Sequence, residues 1–282
     1  MIAFYGMGLL GSNFVRALLQ RGEDVQVWNR TTQRARALEA EGAKAFVDPA
    51  EAARGATRLH LTLSDDQAVD EVLERARPGF GPGLVIVDHT TTSATDTRAR
   101  AARWAERGVA FQHAPVFMGP QNAREGTGLM LASGERARFD ALEPELAKMT
   151  GKLVYLGPAP ERAAGMKLLG NSFLIAMTAG LADTFALAKA LGIPAAEAGS
   201  LFDLFNPGLL LPMRVKRMVG QEFATPSWEL AMARKDARLM LEEATRAEVP
   251  LAVLPAIAAE MDRWLARGHA KDDWTVIAKD WV

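Results

Sequence analysis

The chain is 282 residues long, with 33 basic and 34 acidic side chains and no cysteine. A chain of this length holds one large domain or two smaller ones and buries most of its apolar surface. The balanced charge offers no general nucleic-acid surface, and the lack of cysteine excludes disulfides, thiolate metal sites and a cysteine nucleophile. His60, His89, His113 and His269 form no HExxH or other close ligand pattern, so no metal site is expected. The first residues already read as a strand, which leaves no room for a signal peptide, and no uninterrupted apolar stretch looks like a membrane span. The expectation is a cytoplasmic protein that engages neither nucleic acid nor membrane.

The apolar run IAFY, residues 2–5, reads as the first strand. GMGLLG follows, with Gly6, Gly8 and Gly11 in GxGxxG spacing. A helical pattern then places Leu10, Phe14, Leu18 and Leu19 on one face, Gly22 ends it, and residues 25–28 read as a second strand. Each glycine has its own reason. Gly6 permits the sharp turn, Gly8 has no side chain to block a pyrophosphate, and Gly11 lets helix and strand pack closely. Unpaired N–H groups at the helix start bind phosphate, so Met7, Leu9 and Leu10 belong to the same cradle. A dinucleotide is expected here rather than a purely structural turn.

The second strand runs into WNRT, residues 28–31. An NAD site usually ends this strand with Asp or Glu, which bonds the ribose 2′-hydroxyl. Asn29 carries no charge to repel a 2′-phosphate, and Arg30 offers a fork of donors suited to one. Thr31 can cap the next helix and bind the same group, and Arg34 adds positive charge one turn on. The pattern favours NADP(H) over NAD(H).

Alternation continues with a helix over 31–41, a strand in AKAFVD and a short helix in PAEAARG. TRLHLTLS is the fourth strand, DDQAVDEVLERAR a helix with Ser64 or Asp65 at its cap, and LVIVDH the fifth strand. A helix spans 94–107. GVAFQHAP, GLMLAS and KLVYLG read as three further strands, with a helix over 136–147 between the last two. Together they form an α/β doubly wound sheet with helices on both faces.

The pattern changes near residue 160. From 161 to 191 helix formers dominate, and Met166, Leu169, Phe173, Met177 and Leu181 recur every three or four positions. Apolar on much of its circumference, this long interdomain helix is expected to be central and buried on several sides. Helices follow over 194–205, 209–220, 227–247 and 251–266, and no convincing strand appears after Leu156. The expected organisation is a dinucleotide-binding domain over 1–160 and an all-helical substrate and oligomerisation domain over 161–282. That second part is rich in Leu, Met, Phe and Trp, with LFDLFNPGLLLPM a dense example. Such a surface suits a subunit interface, so a homodimer or higher homo-oligomer is favoured over a well-packed monomer core.

Ligands bind outside the carboxyl ends of parallel strands, where LTLSDD, VDHTTTS and HAPVFMGP all fall. The long helix carries one basic residue among apolar ones, Lys167, and Asn171 lies four residues on, on the same face. That pair needs a polar partner, either a substrate or an internal network. Hydride transfer to a carbonyl creates an alkoxide, which a Lys ammonium stabilises and protonates, and partial burial lowers its pKa toward the working range.

At these residues the chain resembles the β-hydroxyacid dehydrogenase family, the 3-hydroxyisobutyrate dehydrogenase and glyoxylate reductase group, over essentially its full length. FYGMGLLGSNFVRALLQRG resembles the family's cofactor signature, WNRT its NADP-preferring form, and TLSDDQAV and DHTTTS two cofactor-lining loops. HAPVFMG resembles the substrate loop, GMKLLGN the catalytic segment, and ARKDARLML the segment whose lysine reaches the active site. The resemblance implies a Rossmann-type sheet followed by a helical domain similar to the C-terminal domain of 6-phosphogluconate dehydrogenase. It implies Lys167 and Asn171 as catalytic, Leu63 and Ser64 lining the cofactor, Thr91 beside nicotinamide and substrate, and Lys235 reaching both. It further implies backbone N–H groups around Phe117, Met118 and Gly119 facing a substrate carboxylate.

Where the pattern has Asp-Ala-Pro-Val-Ser-Gly, this chain has His113 for the Asp and Phe117 and Met118 for the Ser-Gly pair; Gly170 replaces the first of two asparagines. A hydroxyl donor is lost and two bulky apolar groups arrive. The leading expectation is an NADPH-dependent reductase of a small aldehyde acid or keto acid. The alternatives are an imine reductase, which commonly has Asp or Tyr at the place of Lys167, and a non-catalytic dinucleotide-binding protein. Phosphogluconate oxidation is not expected, since the chain is short for it and shows no phosphosugar cluster.

Overall fold

A computed structural model describes residues 1–282. The chain divides into two compact units, Met1–Asn171 and Ser172–Val282. An N-terminal α/β sheet domain is followed by a mostly α-helical one.

The first unit runs β1 (Ile2–Tyr5), α1 (Leu9–Gln20), β2 (Val25–Trp28), α2 (Thr32–Arg36), β3 (Lys44–Phe46), α3 (Pro49–Ala53), β4 (Arg58–Leu61), α4 (Asp66–Ala76), β5 (Val85–Asp88), α5 (Ala94–Glu106) and β6 (Ala110–His113). These six strands form one parallel sheet in the order β3-β2-β1-β4-β5-β6. Strand order reverses between β1 and β4, which is where an open α/β sheet makes its ligand crevice. β1 is apolar at every position because it is covered on both faces. Ile2 and Phe4 pack with Phe14 and Val27 on one side, and Ala3 and Tyr5 with Leu61, Ile86 and Trp104 on the other.

The remaining strands depart from the sequence reading. β7 (Val116–Phe117), α6 (Pro120–Glu125), β8 (Leu129–Ala132), α7 (Arg136–Leu146) and β9 (Lys152–Tyr155) follow. β7, β8 and β9 form a separate three-stranded sheet rather than extending the first, with β7 antiparallel to β8 and β9 parallel to it. GVAFQHAP thus holds only β6, which stops before Ala114-Pro115, and β7, which the sequence reading lacked, begins just beyond the proline, which has no N–H to continue a ladder. An isolated bridge between His113 and Ser133 joins the two sheets.

α8 (Arg162–Ala190) is a single 29-residue helix, and the division between the units falls inside it. It is not buried on several sides as its composition suggests: Leu169, Phe173, Ile175 and Met177 are all exposed on the chain. By length and composition it is also able to cross a membrane, against the expectation of no such stretch, although a core helix of a soluble protein passes the same test. The second unit continues with α9 (Ala195–Leu204), α10 (Leu211–Val219), α11 (Leu230–Arg246) and α12 (Leu254–Ala266), then a 3-10 segment over Trp274–Trp281 that the sequence reading lacked. Its core gathers Phe223, Leu230, Met261, Trp264 and Val276. The Asp183 carboxylate accepts the N–H groups of Ala252, Val253 and Leu254 at 2.7–2.9 Å, fixing the start of α12 to α8.

Candidate active site

The turn between β1 and α1 builds the floor of the site. Gly6 has φ +96°, and a Cβ there would lie 2.1 Å from the Thr62 carbonyl oxygen. A Cβ on Gly11 would lie 2.0 Å from the Gly6 carbonyl oxygen. Gly8 meets nothing within 4 Å, so the one glycine with open space is the one expected to face a pyrophosphate. The Met7 N–H is used internally, donating to Asn29 Oδ1 at 2.8 Å, and Met7 is buried. Asn29 Nδ2 in turn donates to the Thr31 carbonyl at 2.9 Å. Asn29 thus ties the glycine turn to the end of β2. Thr31 stands at the start of α2, but its hydroxyl makes no capping bond.

Two cavities meet along this turn. One, of about 310 Å³, is lined by Gly6, Asn29, Arg30, Thr31 and Arg34. Arg75 of α4 adds a third guanidinium there, 5.5 Å from the Trp28 ring centroid, and Glu71 also contributes. The other cavity, of about 370 Å³, is lined by Leu9, Leu10, Gly11, Thr91, Met118 and Lys167. Gly8, Thr62, Leu63 and Ser64 line both, so the two form one elongated depression along the carboxyl ends of β1, β2 and β4. The residues fit a dinucleotide, with an open glycine cradle at the middle and a guanidinium cluster at one end.

The loops that wall the second cavity are pinned from behind. Asp65 caps α4, accepting the Ala68 N–H at 2.8 Å. The neighbouring Asp66 accepts the Ser93 N–H at 2.9 Å and pairs at 2.9 Å with Arg100, which is fully buried. Leu63 N–H donates to Thr90 Oγ1 at 3.0 Å. The two loops read from TLSDDQAV and DHTTTS are therefore held together as one wall.

Behind that wall lies a histidine pair. His89 lines the cavity, its Nδ1 lies 2.7 Å from the Ala114 carbonyl oxygen, and its Nε2 lies 3.0 Å from His60 Nδ1. A carbonyl only accepts, so His89 carries its proton on Nδ1 and accepts from His60 on Nε2. Burial pushes the His89 pKa down to about 4 and that of His60 well below its ordinary value. Both rings are neutral at physiological pH and add no charge to the cavity. His113 is buried beside Asp88, with Nδ1 3.6 Å from Oδ2, and does not line it.

Lys167 is the only lysine, arginine or carboxylate side chain in the lining of the second cavity. It is 8% exposed, donates from Nζ to Asn171 Oδ1 at 2.9 Å, and has its ammonium 4.1 Å from the centroid of the Phe117 ring. Desolvation by burial lowers its pKa. Lys167, Asn171, Thr91 and the glycine turn thus belong to one unit. Phe117 and Gly119 do not line the cavity, whereas Met118 does. The Gly119 N–H donates to Asn122 Oδ1 at 2.9 Å at the start of α6, so it is not free for a substrate carboxylate. Lys235 lies in the second unit, on α11, about half exposed and paired with Asp236 at 2.7 Å. His89, Thr62 and Arg75 escaped the sequence reading. His89 and Thr62 end apolar strands and look like core residues, and Arg75 looks like a solvated helix face.

Residues 1–157 match the family described as the NAD binding domain of 6-phosphogluconate dehydrogenase. The chain belongs to that family. It is 26% identical to the 3-sulfolactaldehyde reductase of Escherichia coli (strain K12), over 98% of this chain and 94% of that protein. It is 27% identical to a Streptomyces aurantiacus imine reductase, over 100% of this chain and 99% of that one, with a TM-score of 0.89. The imine reductase from Myxococcus stipitatus in complex with NADP+ has a TM-score of 0.93 over 99% of each chain, at 19% identity, a likeness of fold. The protein is an NAD(P)-dependent oxidoreductase acting on a small organic substrate, and it binds NAD(P)(H) through its Rossmann-type domain.

The narrower resemblance to hydroxyacid dehydrogenases does not extend to the substrate side of the site. Solved structures that match this chain over its whole length are imine reductases and reductive aminases, so assignment as a β-hydroxyacid dehydrogenase or aldehyde-acid reductase does not stand. The physical reason lies in what the matching motifs encode. The glycine turn and the strand-end loops answer to the cofactor, which these enzymes share. Phe117, Met118 and Gly170, in the segments that the resemblance compared with the substrate loop and the catalytic helix, are where the chain departs from the hydroxyacid pattern.

Proposed function

We propose that the protein is an NADPH-dependent imine reductase, converting a compact, largely apolar C=N compound to the amine. One observation carries the reading: the cavity beside the glycine turn holds a single ammonium, Lys167, with apolar Val116 and Met118 beside it and the Gly119 N–H turned away to Asn122. The full-length likeness to a Streptomyces aurantiacus imine reductase supports it. Arg30, Thr31 and Arg34, with Arg75 beside them, would hold the 2′-phosphate that distinguishes NADPH, and Gly8 leaves room for the pyrophosphate.

NADPH, when bound, supplies a hydride to the substrate carbon. The electron pair of the C=N bond then resides on nitrogen, which must take a proton. Lys167 Nζ supplies it, so that C=N becomes CH–NH and the lysine leaves as the neutral amine, to be reprotonated from solvent. Burial favours that direction, because it destabilises the charged form of the lysine. Asn171 accepts one ammonium N–H and so fixes the direction of the remaining two. Thr91, Val116 and Met118 shape the space around the substrate. Lys235 of α11 is kept as a candidate contact to cofactor and substrate.

A homodimer completes this reading. Leu169, Phe173 and Ile175 of α8, with Leu204 and Leu209 beyond it, expose apolar surface that a second copy would cover.

The test is oxidation of NADPH by purified protein offered a cyclic imine beside glyoxylate. Turnover of the imine is expected, and Lys167→Met should lower kcat by ~10²–10³-fold while NADPH binding stays intact. A protein that binds NADPH and reduces glyoxylate but no imine would overturn the reading.

A further inference from the structure

A glycine in the middle of a long helix is less favourable there than alanine, so its presence asks for a contact that excludes a side chain. Gly170 of α8 has such a contact. A Cβ at this position would lie 2.3 Å from Cζ and 2.6 Å from Cε1 of Phe117. The same ring lies 4.1 Å, centroid to Nζ, from Lys167. Lys167 and Gly170 are three residues apart and share a helix face, and Asn171 adds its bond to Nζ at 2.9 Å. The end of β7 and the middle of α8 therefore interlock at one point, with the ring seated in the gap that the missing side chain leaves.

We propose that Phe117 is a positioning residue for Lys167, admitted to the helix surface by Gly170. An ammonium is attracted to the negative face of an aromatic ring, so Phe117 restricts where Nζ can sit while Asn171 takes one of its protons. The N–H groups left over are then directed by two neighbours rather than by solvent. The ring also replaces water on one flank of the charge, so the cavity meets its substrate with a confined donor and not with an open cation. That arrangement selects uncharged or weakly basic C=N compounds over carboxylates. This substrate preference rests on the imine reading, whereas the interlock and the positioning of Lys167 do not.

The experiment uses five variants of the full chain, four single substitutions and one double. Gly170→Ala should lower the Tm, because the new methyl meets the ring. In a Phe117→Ala background the same change should raise the Tm, since alanine is the better helix former once the ring is gone. A fall of equal size in both backgrounds would overturn the interlock. Phe117→Leu keeps an apolar side chain without the ring; it should lower imine kcat at least tenfold with little change in NADPH Kd, and Phe117→Tyr, which keeps the ring, should retain most of the rate. Equal, wild-type kcat in both would overturn the positioning role. Should no imine be turned over, acylation of Lys167 by a lysine-reactive reagent, followed by mass spectrometry, still decides the point. It should be severalfold faster in Phe117→Ala than in wild type, and an unchanged rate would count against the ring's hold on Nζ.

Discussion

Single residues divide the labour of this site by charge. Three guanidiniums line the end where the glycine turn meets β2, and a single ammonium lines the other. Arg30→Ala is expected to weaken NADPH binding about 10–100-fold, the range for losing a hydrogen bond to a charged group, and to leave NADH within twofold. Fluorescence titration of both nucleotides checks this; equal weakening of the two would contradict a 2′-phosphate role. Lys167 and Asn171 were legible in the sequence because a lone cation on an apolar helix, four residues from an amide, has few neutral explanations; the bond between them is 2.9 Å. Phe117 was legible only as an oddity. Its seat against Gly170 joins residues 53 apart along the chain (170 − 117), and no local pattern encodes such a contact.

At the scale of elements, the β1–α1 turn separates folding from binding. Gly11→Ala places a methyl 2.0 Å from the Gly6 carbonyl and should destabilise the protein by ~1–3 kcal/mol, as overpacking does. Gly8→Ala meets nothing within 4 Å and should leave the Tm near wild type while NADPH binding falls at least tenfold. Thermal melts with and without NADPH distinguish the two; loss of stability in Gly8→Ala would contradict the assignment of that open space to the nucleotide. The parallel strands were legible because each is a short apolar run closed by a turn signal. The second sheet was not, since β7, β8 and β9 have the same composition as the strands of the first. Only the proline at position 115, which cannot continue a ladder, marks where one sheet stops.

For the whole molecule, the unsolved quantity in the sequence was which apolar faces are covered within one chain. α8 reads as a core helix, yet Leu169 and Ile175 are 67% and 70% exposed. A homodimer should give a solution mass twice the 30.5 kDa of the chain by light scattering, and Ile175→Glu should shift it toward the monomer. A monomeric wild type at micromolar concentration would contradict that assembly. In the proposed reaction the Lys167 ammonium delivers the proton to an imine nitrogen. The direct measurement is the pH dependence of kcat for NADPH-driven reduction of a cyclic imine. Because burial lowers the lysine pKa and the protonated form is the active one, kcat should fall on the alkaline side, earlier than an ordinary lysine would allow. That limb should vanish, with the rate lowered throughout, in Lys167→Met. An alkaline limb that persists unchanged in Lys167→Met would contradict the account.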